Sequence, residues 1–519
     1  MKKKSVSVLL SVMLAATLLL SACSGNNKEK PAASPSGSLP GESPAAESAS
    51  ASPEAEPPTR ITIMLPLNIA ETPPDTVEKV IEQLTNTELT YQFFPADTYE
   101  EKLNASFATG SLPQVTYLKN QSTFLLMKDA IREGQFWEIG PYMSEYPNLS
   151  KMKEFVLNNT KVDGKLYSLY VGRPLARQGI IYRKDWADKL GLKAPETVDD
   201  LFEMAKQFTE KDPDGNNQPD TIGLADRNDL IYGAFKTVSS WFGTPNNWGE
   251  QDGKLNPEFM FPAYIDTMNY MKKLRDGGYM NKDFAATSKT DQTNLFTSGK
   301  AGIYIGNMQD VNSLQKDLIK NVPEAVVDTH ALIKGPNGQA YTWSIPGYNN
   351  VVLFPKSAIK DEAELKKILA FFDKLMTPEV STTMFWGIEG QHYEVVDGKA
   401  KELDDKEKIE REVKGFKDSA IGEPETNGML VPYHTLEARI HAEQWIVENE
   451  KIAIQDPTAA LDSPTFTSQG VQLQDLIKDA TYKYMYGTID EAGFKAMIDD
   501  WNKRGGGKII EEFNAAYHQ

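Results

Sequence analysis

Ile61-Thr62-Ile63-Met64-Leu65 begins the stretch of chain that decides the fold. It reads as a strand. Thr76–Asn86 follows with a helical pattern, and Leu89–Phe94 reads as a second strand. Tyr99–Thr109 predicts a helix that carries Leu103 and Phe107 and is stopped by Gly110. Val115–Leu118 is a short third strand. Strands that alternate with helices favour an open, mostly parallel sheet, because each parallel return needs a crossover. The expected class is α/β.

The pattern continues downstream. Gly179–Tyr182, Ala301–Ile305 and Asn350–Phe354 read as further strands. Helices are predicted at Lys184–Leu190, at Val198–Thr209 behind Pro195 and Thr197, at Ala263–Asp276 and at Gln292–Thr297. Four more are predicted at Glu362–Leu375, Gly470–Tyr486, Glu491–Lys503 and Ile509–Tyr517, with Gly505-Gly506-Gly507 as a turn between the last two. From Ile61 the body runs for roughly 460 residues, too long for one core, so two lobes or domains are expected. No internal repeat is visible.

Upstream of the body, Ser24–Pro58 holds Pro31, Pro35, Pro40, Pro44, Pro53, Pro57 and Pro58 among Ala, Ser, Gly and Glu, with no aromatic residue. Such a segment buries too little apolar surface to offset its chain entropy, and its proline favours an extended spacer. Before it stand Lys2-Lys3-Lys4, the apolar run Val6–Leu20 and the small residues Ser21-Ala22. These are the parts of a secretory signal. The run is shorter than the roughly 20 residues that span a bilayer. Leu20-Ser21-Ala22-Cys23 resembles the lipobox of bacterial lipoproteins, and Cys23 is the only cysteine in the chain. The expectation is a signal peptide at 1–22, lipidation of Cys23 and a disordered tether over 23–59 that holds a globular body outside the cell.

The formal charge is −18, and removal of the signal, with three lysines and no acid, takes it to −21. That sign argues against nucleic acid or an anionic lipid surface as partner. With one cysteine the body has no disulfide and depends on size and packing. Enzyme signatures are poor. Neither HExxH nor GxSxG occurs, and His330, His392, His434, His441 and His518 do not form a metal-ligand cluster in sequence. Carboxylates are abundant, but nothing singles out a pair for glycoside hydrolysis.

The sharpest local motif is Asp212-Pro213-Asp214-Gly215-Asn216-Asn217-Gln218-Pro219-Asp220. Side-chain oxygens recur at Asp212, Asp214, Asn216 and Asp220, and Gln218 offers its backbone carbonyl. A hard cation such as Ca²⁺ takes about six to eight oxygens, which alternate residues of a tight loop supply. The loop departs from an EF-hand at Asn217, where a turn glycine would stand, and at Gly223, where a bidentate glutamate would stand. The alternative is a solvated Asp/Asn turn.

Other short stretches carry a family resemblance. They include Phe107-Ala108-Thr109-Gly110-Ser111-Leu112-Pro113, Tyr182-Arg183-Lys184-Asp185-Trp186, Asp188-Lys189-Leu190-Gly191-Leu192, Ser298-Gly299-Lys300-Ala301-Gly302 and Trp386–Tyr393. In this order they resemble the extracellular solute-binding family 1 group that serves carbohydrate ABC importers. Within it the chain is similar to the large LplA-like lipoproteins of Gram-positive bacteria, which are related to alginate-oligosaccharide binding proteins. The resemblance spans Ile61 to Tyr517. It implies a two-lobe, periplasmic-binding-protein-like fold of type II, with discontinuous lobes joined by hinge strands. Lobe one is placed at 60–170 and 335–385, lobe two at 171–334 and 386–519. It also implies a non-catalytic, monomeric receptor on the outer face of the cytoplasmic membrane. Such a receptor would close on an oligosaccharide and hand it to a permease. Alginate-binding relatives carry a calcium loop like Asp212–Asp220, often with an acid where this chain has Thr221. A surface-anchored glycosidase or lyase, and a sensory or adhesive lipoprotein, remain as alternatives.

An interlobe sugar site needs apolar faces for ring C–H groups and polar partners for hydroxyls. Trp241 and Trp248 flank Gly243-Thr244-Pro245-Asn246-Asn247, Trp343 precedes Ser344, and Trp386 precedes Glu389 and Gln391. At least two of Trp241, Trp248, Trp343 and Trp386 are expected at the ligand, the others being core. Glu389, Gln391 and Arg173 are the expected hydrogen-bonding residues.

Overall fold

The computed structural model describes residues 57–518. The expected signal segment 1–22, Cys23 and the tether as far as Glu56 lie outside the described residues. Among the described residues no helix is long and apolar enough to cross a membrane.

The strands β1 (Thr59–Leu67), β2 (Thr87–Pro95), β3 (Val115–Leu118) and β4 (Ser168–Gly172) come first. Next are β5 (Gln178–Arg183), β6 (Ile222–Ala225), a hairpin of β7 (Trp248–Gln251) and β8 (Lys254–Pro257), β9 (Ala301–Asn307) and β10 (Val327–His330). After these, β11 (Thr342–Trp343) precedes β12 (Tyr348–Leu353). They form two principal sheets, ordered β2-β1-β3-β12-β4 and β10-β5-β9-β6.

In the first sheet β1 is parallel to β2 and β3, with Ile63 opposite Val115, as the β-α-β-α-β pattern requires. The remainder is not parallel, because β12 runs antiparallel to both β3 and β4. Ile61, Ile63, Met64 and Leu65 are all buried. Such a nearly continuous apolar run, interrupted only by half-buried Thr62, marks a strand covered on both faces. The helices Thr76–Thr85, Gln121–Arg132 and Glu362–Leu375 complete this core.

The second sheet is covered on both faces too. Ile180 and Tyr182 of β5 face a core with Trp186 and Phe208, while Ile181 faces the opposite one with Val311, Leu314 and Ala442. This is the two-residue alternation of a strand. The helix Val198–Glu210 begins as the Thr197 signal predicts. Thr197 Oγ1 accepts from the Asp200 N–H at 3.1 Å, and Asp200 Oδ2 accepts from the Thr197 N–H at 3.0 Å. A cap of this kind stabilises by about 1 kcal/mol.

The expected lobe limits differ from the packing in two places. Residues 335–343 pack on the second sheet's side. There β11 pairs with Ala453–Ile454, and the Trp343 indole donates to Thr237 Oγ1 at 3.1 Å. Residues beyond 385 return to the first core, where Ile409, Val413, Phe416 and Ile421 are buried and Tyr117 donates to the Ser419 carbonyl at 2.8 Å. The chain crosses a third time only after Tyr433, whose N–H still bonds to Ala400, and before the helix Glu437–Glu450, which packs on β10.

Ion pairs join the lobes. Lys128, buried on the helix Gln121–Arg132, donates to Asp462 at 2.6 Å, and Arg132 of the same helix also pairs with Asp462. Lys153 meets Glu450 at 3.0 Å. Glu450 ends the helix Glu437–Glu450, and Asp462 adjoins Ser463, which donates to Glu512 at 2.5 Å in the second lobe.

Candidate ligand cleft

Two crossing segments form the floor of a cleft between the sheets. Residues 173–177 run from β4 to β5, and residues 344–347 run from β11 to β12. They are bonded to each other, Arg173 N–H to the Gly347 carbonyl at 3.0 Å and Ile345 N–H to the Leu175 carbonyl at 2.9 Å. Gly347 has φ of 87°, and a Cβ there would lie 2.6 Å from Leu175 and Val156 side chains. Both conditions call for glycine at this point of close approach.

The cleft measures about 650 Å³, within the range of roughly 300–1,000 Å³ usual for ligand pockets. Its first-lobe wall is the N-terminus of the helix Gln121–Arg132, where Asn120 Oδ1 accepts from the Thr123 N–H at 2.9 Å. Its second-lobe wall comes from the loop after β6, from Lys289 and from the end of β9. In that loop Asp229 Oδ1 accepts from the N–H groups of Ile231 and Tyr232 at 3.0 and 2.9 Å, and this turn leaves the Tyr232 ring half exposed at the cleft. Arg227 braces the turn. It donates to Gln292 Oε1 at 2.9 Å, to Asp229 Oδ2 at 3.2 Å and to the Tyr232 carbonyl.

Arg173 and Arg177 stand at the floor. Arg173 Nη1 lies 3.4 Å from Asn349 Oδ1. Arg177 is held below the usual guanidinium range by burial first and by the adjacent Arg173 second.

The expected residues are not gathered here, apart from Arg173. Trp241, Trp248, Trp343 and Trp386 are each at most 6% exposed and none lines the cleft. Trp241 lies in the second-lobe core, and Trp248 packs edge-on against Phe513 at 4.9 Å. Trp343 meets Thr237 as described, though its ring lies 5.9 Å from that of Tyr232. Trp386 donates to the Leu430 carbonyl at 2.7 Å. Glu389 and Gln391 are exposed away from the cleft, and Gln391 accepts from Lys408 at 3.4 Å. The glycines and polar residues beside these indoles form turns around buried rings, with Gly243 at φ 88° and Gly387 at φ 81°. They do not form a polar lining. Tyr232 was missed, although it carries the same kind of signal, an aromatic ring among Asp, Asn and Gly.

The loop Asp212–Asp220 lies apart from the cleft. Asp212 accepts from the N–H groups of Gly215, Asn216 and Asn217 at 3.0–3.1 Å. Asn216 Nδ2 donates to Asp214 at 2.8 Å and to Asp220 at 3.1 Å, so one amide nitrogen sits between two carboxylates. Asp214 is pushed above the ordinary carboxylate range by desolvation, then by Asp212 and Asp220. Among the described residues no three acidic, histidine or cysteine side chains are grouped as metal ligands.

Known proteins share this architecture. Residues 70–381 match the bacterial extracellular solute-binding protein family. The polygalacturonan/rhamnogalacturonan-binding protein YtcQ of Bacillus subtilis is 45% identical over 461 residues, covering 86% of this chain and 89% of that protein. Lipoprotein LipO of the same organism is 34% identical, covering 88% and 92%. Among solved structures, an HMO binding ABC-transporter associated solute-binding protein of Bifidobacterium longum infantis superposes with a TM-score of 0.65 at 17% identity, over 89% of this chain and 99% of that one. The alginate-binding protein AlgQ2 without calcium gives 0.60 at 18% identity, over 90% and 99%. The two-lobe α/β fold is that of these receptors, and the chain belongs to the bacterial extracellular solute-binding protein family.

Proposed function

We propose that this chain captures an oligosaccharide between its lobes and delivers it to the permease of an ABC importer, without catalysing a reaction. The observation that carries this reading is the cleft itself. It is walled by polar side chains of both lobes, floored by the crossing segments and edged by one exposed aromatic ring. Contacts to both walls favour the closed form, which a permease can distinguish from the open one. The names of two relatives support a carbohydrate ligand: the galacturonan-binding protein above and, at 26% identity over 66% of this chain, a fructooligosaccharide ABC transporter substrate-binding protein of Streptococcus pneumoniae. The first makes pectin-derived oligosaccharides the leading candidates.

The reading includes a lipid anchor at Cys23, on the outer face of the cytoplasmic membrane, and a monomeric body. It also includes structural calcium. The donor set of Asp212, Asp214, Asn216, Asp220 and the Gln218 carbonyl is all oxygen, and Asn216 already bridges two carboxylates that repel each other. Bound Ca²⁺ would neutralise that repulsion.

Calorimetry of the mature protein with a panel of pectic oligosaccharides tests the central reading, alongside product analysis of the same mixtures. Saturable binding of an unaltered glycan is expected. Turnover, or no binding to any glycan on an array, would overturn it. Cys23→Ser should move the protein from the membrane to the medium without loss of ligand affinity, and persistent membrane fractionation would remove the anchor from the reading.

A further inference from the structure

We infer that the cleft reads the carboxylate of an acidic sugar, with Arg177 as the specificity-determining residue and Arg173 as its neighbour in the same task. This rests on the proposed oligosaccharide-binding role and adds the residues that select an acidic ligand.

Three observations lead there. The first is a local reversal of charge. The chain as a whole carries −18, yet the cleft presents Arg173, Arg177, Arg227 and Lys289 against only Asp229 and Asp310. Clefts focus the field of their lining charges, so local sign governs ligand choice more than the total does.

The second is the division of labour among those cations. Arg227 is spoken for by Asp229, Gln292 and the Tyr232 carbonyl. Among the described residues no carboxylate lies within ion-pair distance of Arg173 or Arg177. Asp310 accepts from Asn307 Nδ2 at 3.1 Å, and its charge favours the protonated Arg177 but is outweighed by burial and by Arg173.

The third is an unpaired donor. Arg177 Nε is buried and has no hydrogen-bond partner. A guanidinium presents its N–H groups as a planar fork that matches a carboxylate with two parallel bonds. A buried donor without a partner is costly, and a sugar hydroxyl offers neither the charge nor the fork. The proximity of Arg173 sharpens the demand, since two like charges in a partly desolvated floor are relieved by one shared anion. A uronate ring supplies such an anion on an otherwise sugar-like body.

The test compares trigalacturonate with its methyl ester, which keeps the ring and removes the charge. Titration calorimetry on the mature wild type at pH 7 and about 0.1 M salt should show the acid preferred by tenfold or more, with the preference shrinking as salt rises. Arg177→Gln should bring the acid-to-ester ratio close to one. Arg177→Lys should retain part of the preference, because it keeps the charge and loses the fork. Arg173→Gln should lower the ratio by less. Wild-type protein that binds acid and ester alike, or a ratio unmoved in a folded Arg177→Gln variant, would overturn the inference. The wild-type ratio and its salt dependence decide the matter even if the variant does not fold. Binding of a neutral glycan with no response to trigalacturonate would overturn the charge reading while leaving the oligosaccharide role intact. No binding to any glycan would remove both.

Discussion

Replacing Asp462 by Asn should uncouple a buried ammonium from its close carboxylate and loosen one of the ion-paired attachments between the lobes. Lys128 Nζ lies 2.6 Å from Asp462, its side chain is 5% exposed, and that of Asp462 is 35% exposed. Breaking a fully buried pair from one side costs about 3–5 kcal/mol, and exposed pairs contribute under about 1 kcal/mol. Asp462 is a third open to solvent, so Asp462→Asn should cost about 1–3 kcal/mol. Lys128→Met removes the charge and keeps most of the packed stem, and the double variant should recover part of the loss. Urea denaturation followed by tryptophan fluorescence gives the coupling as a double-mutant cycle. The sign of its pH dependence is fixed as well. Burial raises the Asp462 pKa, but Lys128 and Arg132 more than offset this and hold it below the ordinary value of 3.8. The contribution is therefore present above that value and fades as pH falls through the folded-state value. A coupling below about 0.3 kcal/mol at pH 7 would refute the reasoning and reduce the contact to a surface pair.

Tyr232→Ala should weaken glycan binding by roughly tenfold, since a stacked ring contributes on the order of 1 kcal/mol beyond its area; unchanged calorimetric affinity would remove it from the site. Trp241→Ala and Trp386→Ala should instead destabilise the fold by about 3–5 kcal/mol, and any surviving folded protein should keep its affinity. Burial pushes Glu423 up to about 7, against the lowering influence of Lys153 and Tyr170. Its folded-state value thus exceeds the ordinary 4.5, so stability is lost as pH rises from about 4.5 through 7, and Glu423→Gln should flatten that part of the melting profile. Chelation should lower the melting temperature of the wild type, and Asp214→Ala should abolish the sensitivity; equal melting with and without millimolar calcium would exclude a structural ion.

The periodic parts of the sequence were the legible ones. Val115–Leu118, Lys184–Leu190 and Glu362–Leu375 have the limits their apolar spacing predicts, because each is a short regular element with a clear stop. The strands Ser168–Gly172 and Ile222–Ala225 were not legible. Four or five residues of mixed apolar and small character look like loop until a neighbouring strand orders them. The cleft was harder still. A tryptophan beside glycine and asparagine has the same local sequence whether its ring faces a sugar or a core, and only the third dimension shows that Trp386 turns inward toward Leu430. Arg173 was legible as a cation just before the strand Gly179–Tyr182. Arg177 differs from any surface arginine only in what is absent around it, and no sequence pattern records an absence.

The position of β12 has a consequence for how the protein matures. It lies between β3 and β4 in the sheet, yet it arrives some 180 residues after the second of them. While the chain emerges from an export channel, β3 and β4 have no strand between them, and each offers an open edge. The second lobe's four-stranded sheet, β10-β5-β9-β6, is complete before β12 appears, although the partner of β11 at Ala453–Ile454 arrives later. The first lobe's core closes when Phe416 and Ile421 have come through, whereas the second lobe's cores still need Ala442, Tyr484 and Phe494. Exposure of unpaired edges over that interval makes the first lobe the part most in need of a folding assistant outside the cell, and the part in which slow export would show as aggregation.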